Sequence, residues 1–336
     1  MGRSLGDLAL FVGKRLLQLV PVVFGILLLT FVFTHISVVN PCAIWYPHAD
    51  PTTYRNCEAT FKEPILNQFV TYLENVVSGN WGTSQSGVAV FPTIQQDFPA
   101  TLELVLASLF LMVVVGIPMG VVAAQHAGRW PDHLVRVFYL SGWATPTYLG
   151  AVIAAIFVGP YLGLPSQGEF TTPPPFPQYT HMSVVDAMLA GNVPWTFDAL
   201  DHLLLPASVL AFINMGIATR MTRSSMLEVL PLDYVRSARM KGLSEALVMY
   251  KHALRNALIT TTTVLGVTAG GLLAGTVVVE EVFAWPGIGA YAFNSITAPN
   301  FDGTIAVVAV FAVGVVLANL VADVLYGVLD PRVEWR

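Results

Sequence analysis

Six long apolar stretches, at about 16–39, 101–124, 134–159, 203–222, 257–280 and 304–326, constrain this chain more than any other feature. Each is long enough to cross a hydrocarbon core of about 30 Å, which takes roughly 20 helical residues. Backbone groups in lipid need partners within the segment, so each stretch is expected to be helical. Only 11% of the residues are charged, where soluble domains carry roughly a quarter. The composition therefore points to an all-α polytopic membrane protein. The first stretch, LLQLVPVVFGILLLTFVFTHISVV, follows Lys14 and Arg15 as a signal peptide would. Its length and the lack of a small-x-small cleavage site favour a retained helix.

Lys and Arg accumulate in cytoplasmic segments. With the N-terminus inside, Arg3, Lys14, Arg15, Arg129, Arg136, Arg220, Arg223, Arg236, Arg239, Lys241, Lys251, Arg255, Arg332 and Arg336 all fall at the cytoplasmic side or its edge. Arg55 and Lys62 alone fall outside. Both termini are then cytoplasmic, as is the stretch between the fourth and fifth spans. The cysteines, Cys42 and Cys57, share the first outer segment. In an oxidising compartment they form a disulfide; otherwise they are two thiols that never meet.

That outer segment, 41–98, is too long to be a simple connection. Within it EPILNQFVTYLENVV spaces Ile65, Phe69, Tyr72, Leu73 and Val76 at helical intervals, which predicts a short amphipathic helix at the membrane surface. It either packs on the neighbouring spans or contacts a ligand. A second outer loop at 160–202 holds GEFTTPPPFPQYTH and has no Lys or Arg; its prolines favour an extended spacer. The expected organisation is a lead-in and first span (1–40), the outer segment (41–98), a core of five spans (99–326) with a cytoplasmic loop at 223–256, and a tail (327–336).

Catalytic signatures are missing. The Gly13-Lys14 step lacks the upstream glycine of a phosphate cradle. His35, His48, His126, His133, His181, His202 and His252 show no zinc-ligand spacing, and no GxSxG elbow occurs. Among intramembrane acids, Asp323 stands one turn from Asn319 near a span end, and a charge there costs less than the about 2.5–3.5 kcal/mol of mid-membrane. Asp323 and Glu103 read as packing or capping groups. Glu280 and Glu281 read as solvated at the outer surface. The fifth span carries Gly266, Thr268, Gly270, Gly271 and Gly275, small residues suited to close helix packing or to lining a path.

The loop reads RSSMLEVLPLDYVRSARMKGLSEALVMYKHALRNALI. Pro231 and Asp233 suit a helix start, and Gly242 suits its stop with Arg239 and Lys241 near the negative end of the helix dipole. Ser244 is expected to cap a second helix, with Leu247, Tyr250, Leu254, Ala257 and Leu258 on one face and Lys251, His252 and Arg255 at a basic edge. This is a docking shape. Anionic lipid would also hold such a helix, at about 1 kcal/mol per cation.

The stretch DYVRSARMKGLSEALVMYKHALRNALI resembles the EAA loop of permease subunits of binding-protein-dependent ABC importers, in the dipeptide/oligopeptide group. ATLELVLAS, DHLLLPASVLAF, RSSMLEVLPLDYVRSARMKGL, EEVFAWPGIGAY and LYGVLDPRV resemble the same group. The literal Glu-Ala-Ala is absent, Met240 stands where a small residue is commoner, and the Cys-bearing outer segment is unusual. The resemblance implies a type I importer permease fold in the cell membrane and no cofactor on this chain, with ATP and Mg on separate ATPase subunits. It implies as partners a homologous second permease, two ATPases and an extracytoplasmic solute-binding protein. Carried over, Tyr234, Val235, Arg236, Ala238, Arg239, Lys241 and Gly242 would form the ATPase contact. Family members carry peptides, nickel chelates or oligosaccharides, so the substrate stays open. An ATP-independent secondary transporter is the rival reading, and an intramembrane enzyme a weaker one.

Overall fold

The computed structural model describes residues 5–36, 42, 51–84, 87–298 and 300–329. Twelve helices account for almost all regular structure among them: α1 Leu5–Ile36, α2 Pro51–Lys62, α3 Ile65–Val77, α4 Val90–Gln125, α5 Trp130–Ala144, α6 Thr147–Leu162, α7 Ser183–Leu189, α8 Val193–Val229, α9 Asp233–Met240, α10 Glu245–Val282, α11 Ile288–Thr297 and α12 Phe301–Leu329. Five helices are long and apolar enough to span a membrane: α1, α4, α8, α10 and α12. The pair α5 and α6 makes a sixth crossing if counted as one span, bent by 104° at its break.

That bend corrects the expectation of one continuous helix over 134–159. Pro146 lacks an N–H and pushes the residue before it out of the helical region. Thr145 accordingly adopts φ −82° and ψ 121°, and its hydroxyl donates back to the Ser141 carbonyl at 2.7 Å. Three of the described helices widen locally into π-turns, at Met112–Gly116 in α4, Ala154–Val158 in α6 and Val248–Leu254 in α10.

The core lies where α8 runs between α4, α6 and α10, with Leu104, Met112, Leu210, Leu272, Phe283 and Trp285 fully enclosed. Small residues bring the helices together, as lipid-embedded packing requires. A Cβ on Gly266 would collide with Ala322 of α12, one on Gly270 would touch Val315 and Ala318, and one on Gly275 would reach Leu210. Gly271 meets nothing, so it alone of these glycines is not needed for close packing. The first span is peripheral: α1 packs against α12 and leaves Leu17, Val20 and Leu29 exposed. It also meets α3, through Phe69 against Phe24 and Phe31 at centroid distances of 5.6 and 5.2 Å. The expected amphipathic helix is thus packed on a span.

Cys42 is buried and disulfide-bonded. The side chain of Cys57 lies outside the described residues, as does that of Asp323.

Candidate functional site

At one end of the bundle α8 stops at Val229, the chain turns through Leu230, Pro231 and Leu232, and α9 begins at Asp233. Gly242 ends this short helix as expected. Its φ of +76° falls in the left-handed region that glycine adopts without a Cβ penalty, and its N–H closes on the Arg239 carbonyl at 2.9 Å. Ser244 occupies the cap position of α10, but its side chain makes no capping bond; its carbonyl accepts from the Val248 N–H at 3.0 Å.

The structure divides the seven predicted contact residues into two groups. Val235 and Ala238 point inward, enclosed with Val248 and packed against Val229, Leu230 and Leu243 of this same chain. Ala238 therefore lets α9 lie close on its own scaffold. Tyr234, Arg236, Arg239, Lys241 and Gly242 are exposed. Tyr234 is steadied by the Asn256 side-chain amide, which donates to its hydroxyl at 2.6 Å. Arg239 forms a two-bonded ion pair with Glu245 at 2.8 and 3.2 Å; an exposed pair of this kind contributes about 0–1 kcal/mol. Met240, 81% exposed, stands out from the end of the helix as an apolar point in a basic surround.

The predicted inner face of the second loop helix needs correction. Leu247 and Tyr250 are exposed and Val248, Met249 and Ala253 are buried in their place, while Ala257 is buried as expected. The π-turn at Val248–Leu254 widens the spacing beyond the 3.6 residues on which the expectation rested. Met249, Ala253 and Ala257 then meet Val121 and Ala124 of α4 and Met226 of α8. The loop is thereby seated on two spans besides its own.

Beside it lies a charge cluster that the sequence reading missed. Asp132, in the first turn of α5, is completely buried. Arg223 of α8 holds its two oxygens with bonds of 2.7 and 2.8 Å, Arg136 does so at 3.1 and 2.9 Å, and the Gly128 N–H adds another at 2.9 Å. The Asp132–Arg136 spacing of one helical turn is visible in the sequence; the pairing with Arg223 is not.

The far end is closed by EEVFAWPGIGAY. Trp285 is fully enclosed and donates its indole N–H to the Ala100 carbonyl at 2.9 Å. Glu280, expected to be solvated, is instead completely buried. It accepts the Thr101 hydroxyl at 2.8 Å and the Ala290 N–H at 3.0 Å, so it caps the start of α11. Side chains on Gly287 or Gly289 would collide with its carboxylate. Glu103 plays the same part for α7, accepting the Ser183 N–H and hydroxyl at 2.8 Å and the Val184 N–H at 3.0 Å. Its reading as a capping group agrees with this geometry. Among the described residues, no three His, Cys, Asp or Glu side chains are grouped to hold a metal ion.

Residues 116–335 match the family described as binding-protein-dependent transport system inner membrane component. Over 331 residues the chain is 39% identical to the probable D,D-dipeptide transport system permease protein DdpB of Escherichia coli strain K12, covering 95% of this chain and 96% of that one. The oligopeptide transport system permease protein AppB of Bacillus subtilis strain 168 is 34% identical, with 98% and 100% covered. Among solved structures, a chain of the MetNI methionine ABC transporter in an inward-facing conformation superposes with a TM-score of 0.50 at 17% identity. That superposition spans 69% of this chain and 93% of the other, and it bears on the fold alone.

Proposed function

The chain belongs to the binding-protein-dependent transport system inner membrane components, and on that footing we propose that it is one permease of an ATP-driven peptide importer. It works beside a homologous second permease, with two ATPase subunits at the α9 end and a solute-binding protein at the other. The α9 end is the cytoplasmic one, because the Lys and Arg side chains gather there. This chain hydrolyses nothing; it converts closure of the ATPase pair into alternating access.

The observation that carries the reading is the presentation of α9. A short helix is fixed by Val235 and Ala238 to a scaffold that reaches α4 and α8, while Tyr234, Arg236, Arg239, Lys241 and Gly242 face outward. Such an element transmits a push, since a packed interior shifts as a unit rather than deforming locally. A ligand or nucleotide moves the equilibrium only by binding one state better than the other, and an exposed, rigidly seated helix gives the ATPases a handle on that difference. The likeness to a probable D,D-dipeptide and to an oligopeptide transport system permease protein supports peptides as the cargo.

Reconstitution tests this. Proteoliposomes holding both permeases and the ATPases should accumulate labelled dipeptide or oligopeptide only with ATP and the binding protein present. Uptake of a nickel chelate or oligosaccharide in place of peptide would overturn the cargo. Uptake by this chain alone, driven by an ion gradient, would overturn the importer.

A further inference from the structure

The charge cluster at Asp132 links two elements that the chain order keeps far apart. Arg223 lies 91 residues from Asp132 and six before the end of α8, where the loop begins. Fixing the turn into α5 would require only the bond from Gly128. Two bidentate guanidinium groups on a fully buried carboxylate go well beyond that need. Asp132 carries one negative charge between two positive ones, so losing it leaves Arg136 and Arg223 facing each other across the α5–α8 seam.

The same seam is closed along the rest of α5. Tyr139 fills the space beside Gly216, Gly142 meets the Phe212 backbone too closely to admit a side chain, and the rings of Phe138 and Phe212 meet at 5.2 Å. Near the end of α5 the Arg220 guanidinium lies 5.2 Å over the Trp143 ring. Directly after it comes the break at Thr145–Pro146, where α6 turns away by 104° and packs on α10 as well as α8. A strut bound to the loop-bearing end of α8 thus ends at a bend.

We propose that Asp132 is a positioning residue of the transport cycle: by bridging Arg223 and Arg136 it makes α5 travel with the loop-bearing end of α8 and delivers displacement of α9 to the break at Thr145–Pro146. The inference rests on the reading of α9 as the ATPase contact.

Spin labels in the assembled transporter test it. Exposed positions Leu134, Met240 and Tyr161 are each changed to Cys in pairs, and distances are measured without nucleotide and with ATP trapped. Met240 to Tyr161 should change between states, while Leu134 to Met240 should stay constant. An unchanged Met240–Tyr161 distance would overturn the reading of α9. A change there accompanied by a change in Leu134–Met240 would overturn the role of Asp132 alone. In parallel, Asp132→Asn should assemble, hydrolyse ATP and lose at least tenfold in solute moved per ATP, with the Asp132→Asn/Arg223→Gln double variant no worse. Full solute movement per ATP in Asp132→Asn would refute the proposal. If that variant does not assemble, the distances in the otherwise native chain decide.

Discussion

Replacing Glu280 by Gln perturbs one buried oxygen and leaves the shape of the far end intact. Thr101 fixes the proton arrangement there: its oxygen accepts the Ile288 N–H at 2.9 Å, so its hydroxyl proton goes to Glu280 Oε1 at 2.8 Å. The other carboxylate oxygen takes the Ala290 N–H at 3.0 Å. An amide has a single acceptor oxygen, so its NH2 must confront either the Thr101 hydroxyl or the Ala290 N–H. One hydrogen bond is lost and one donor stays buried without an acceptor, which costs about 1–3 kcal/mol. The glycines pressed against the carboxylate leave no room for the amide to rotate away. Thr101→Val removes the same junction from the other side. Thermal unfolding of the purified transporter, scored for the singles and the double, should give a lower midpoint for each single and a double far less destabilised than the sum. Coupling within one network is typically about 0.5–3 kcal/mol. Additive effects, or a Glu280→Gln protein that unfolds like the native one, would refute the assignment of Glu280 as the cap of α11.

Further outcomes follow from local geometry. Gly266→Ala drives a methyl into Ala322 and should destabilise the α10–α12 pair by about 1–3 kcal/mol, while Gly271→Ala, facing open space, should leave the melting temperature unchanged or slightly raised. Burial, reinforced by the negative charge of Glu103, Asp97 and Asp186, pushes the Glu169 carboxyl up to about 8. The unfolded chain ionises near the ordinary value of 4.5 while the folded one holds its proton, so stability should fall as pH rises between these values and level off above them. Glu169→Gln should flatten that slope in pH-dependent melting, and an unaltered slope would remove Glu169 as its source. A Cys42–Cys57 bridge in the outer segment predicts that neither cysteine alkylates until reductant is added; two modified thiols by intact mass without reductant would exclude it.

Spans of this chain are legible because lipid admits few solutions: a long apolar run must be a helix, and runs of this length fix where the helices lie. The loop is legible for a local reason, since Pro231, Asp233 and Gly242 punctuate a short helix within a dozen residues. The break of the third span is also written locally, in Thr145-Pro146, but an apolar run that continues across it hides the turn. Phase is harder to read. A single π-turn moves the buried face of 247–258 from Leu247 and Tyr250 to Val248 and Met249, and nothing in that stretch marks the extra residue per turn. Long-range partners escape altogether. Glu280 stands at the edge of an apolar run, where an acid is ordinarily solvated, and only the fold brings Thr101 and the start of α11 around it. Asp132 meets Arg223 for the same reason.

Cross-linking from Met240 tests the claim that α9 is gripped by an ATPase. The native cysteines are Cys42 and Cys57 alone, so Met240→Cys places a single new thiol at the exposed end of the helix. In membranes carrying the whole transporter, a short bifunctional reagent should join this chain to an ATP-hydrolysing subunit, with a yield that changes when ATP is trapped. No adduct with such a subunit, in membranes that still import the solute, would contradict the claim.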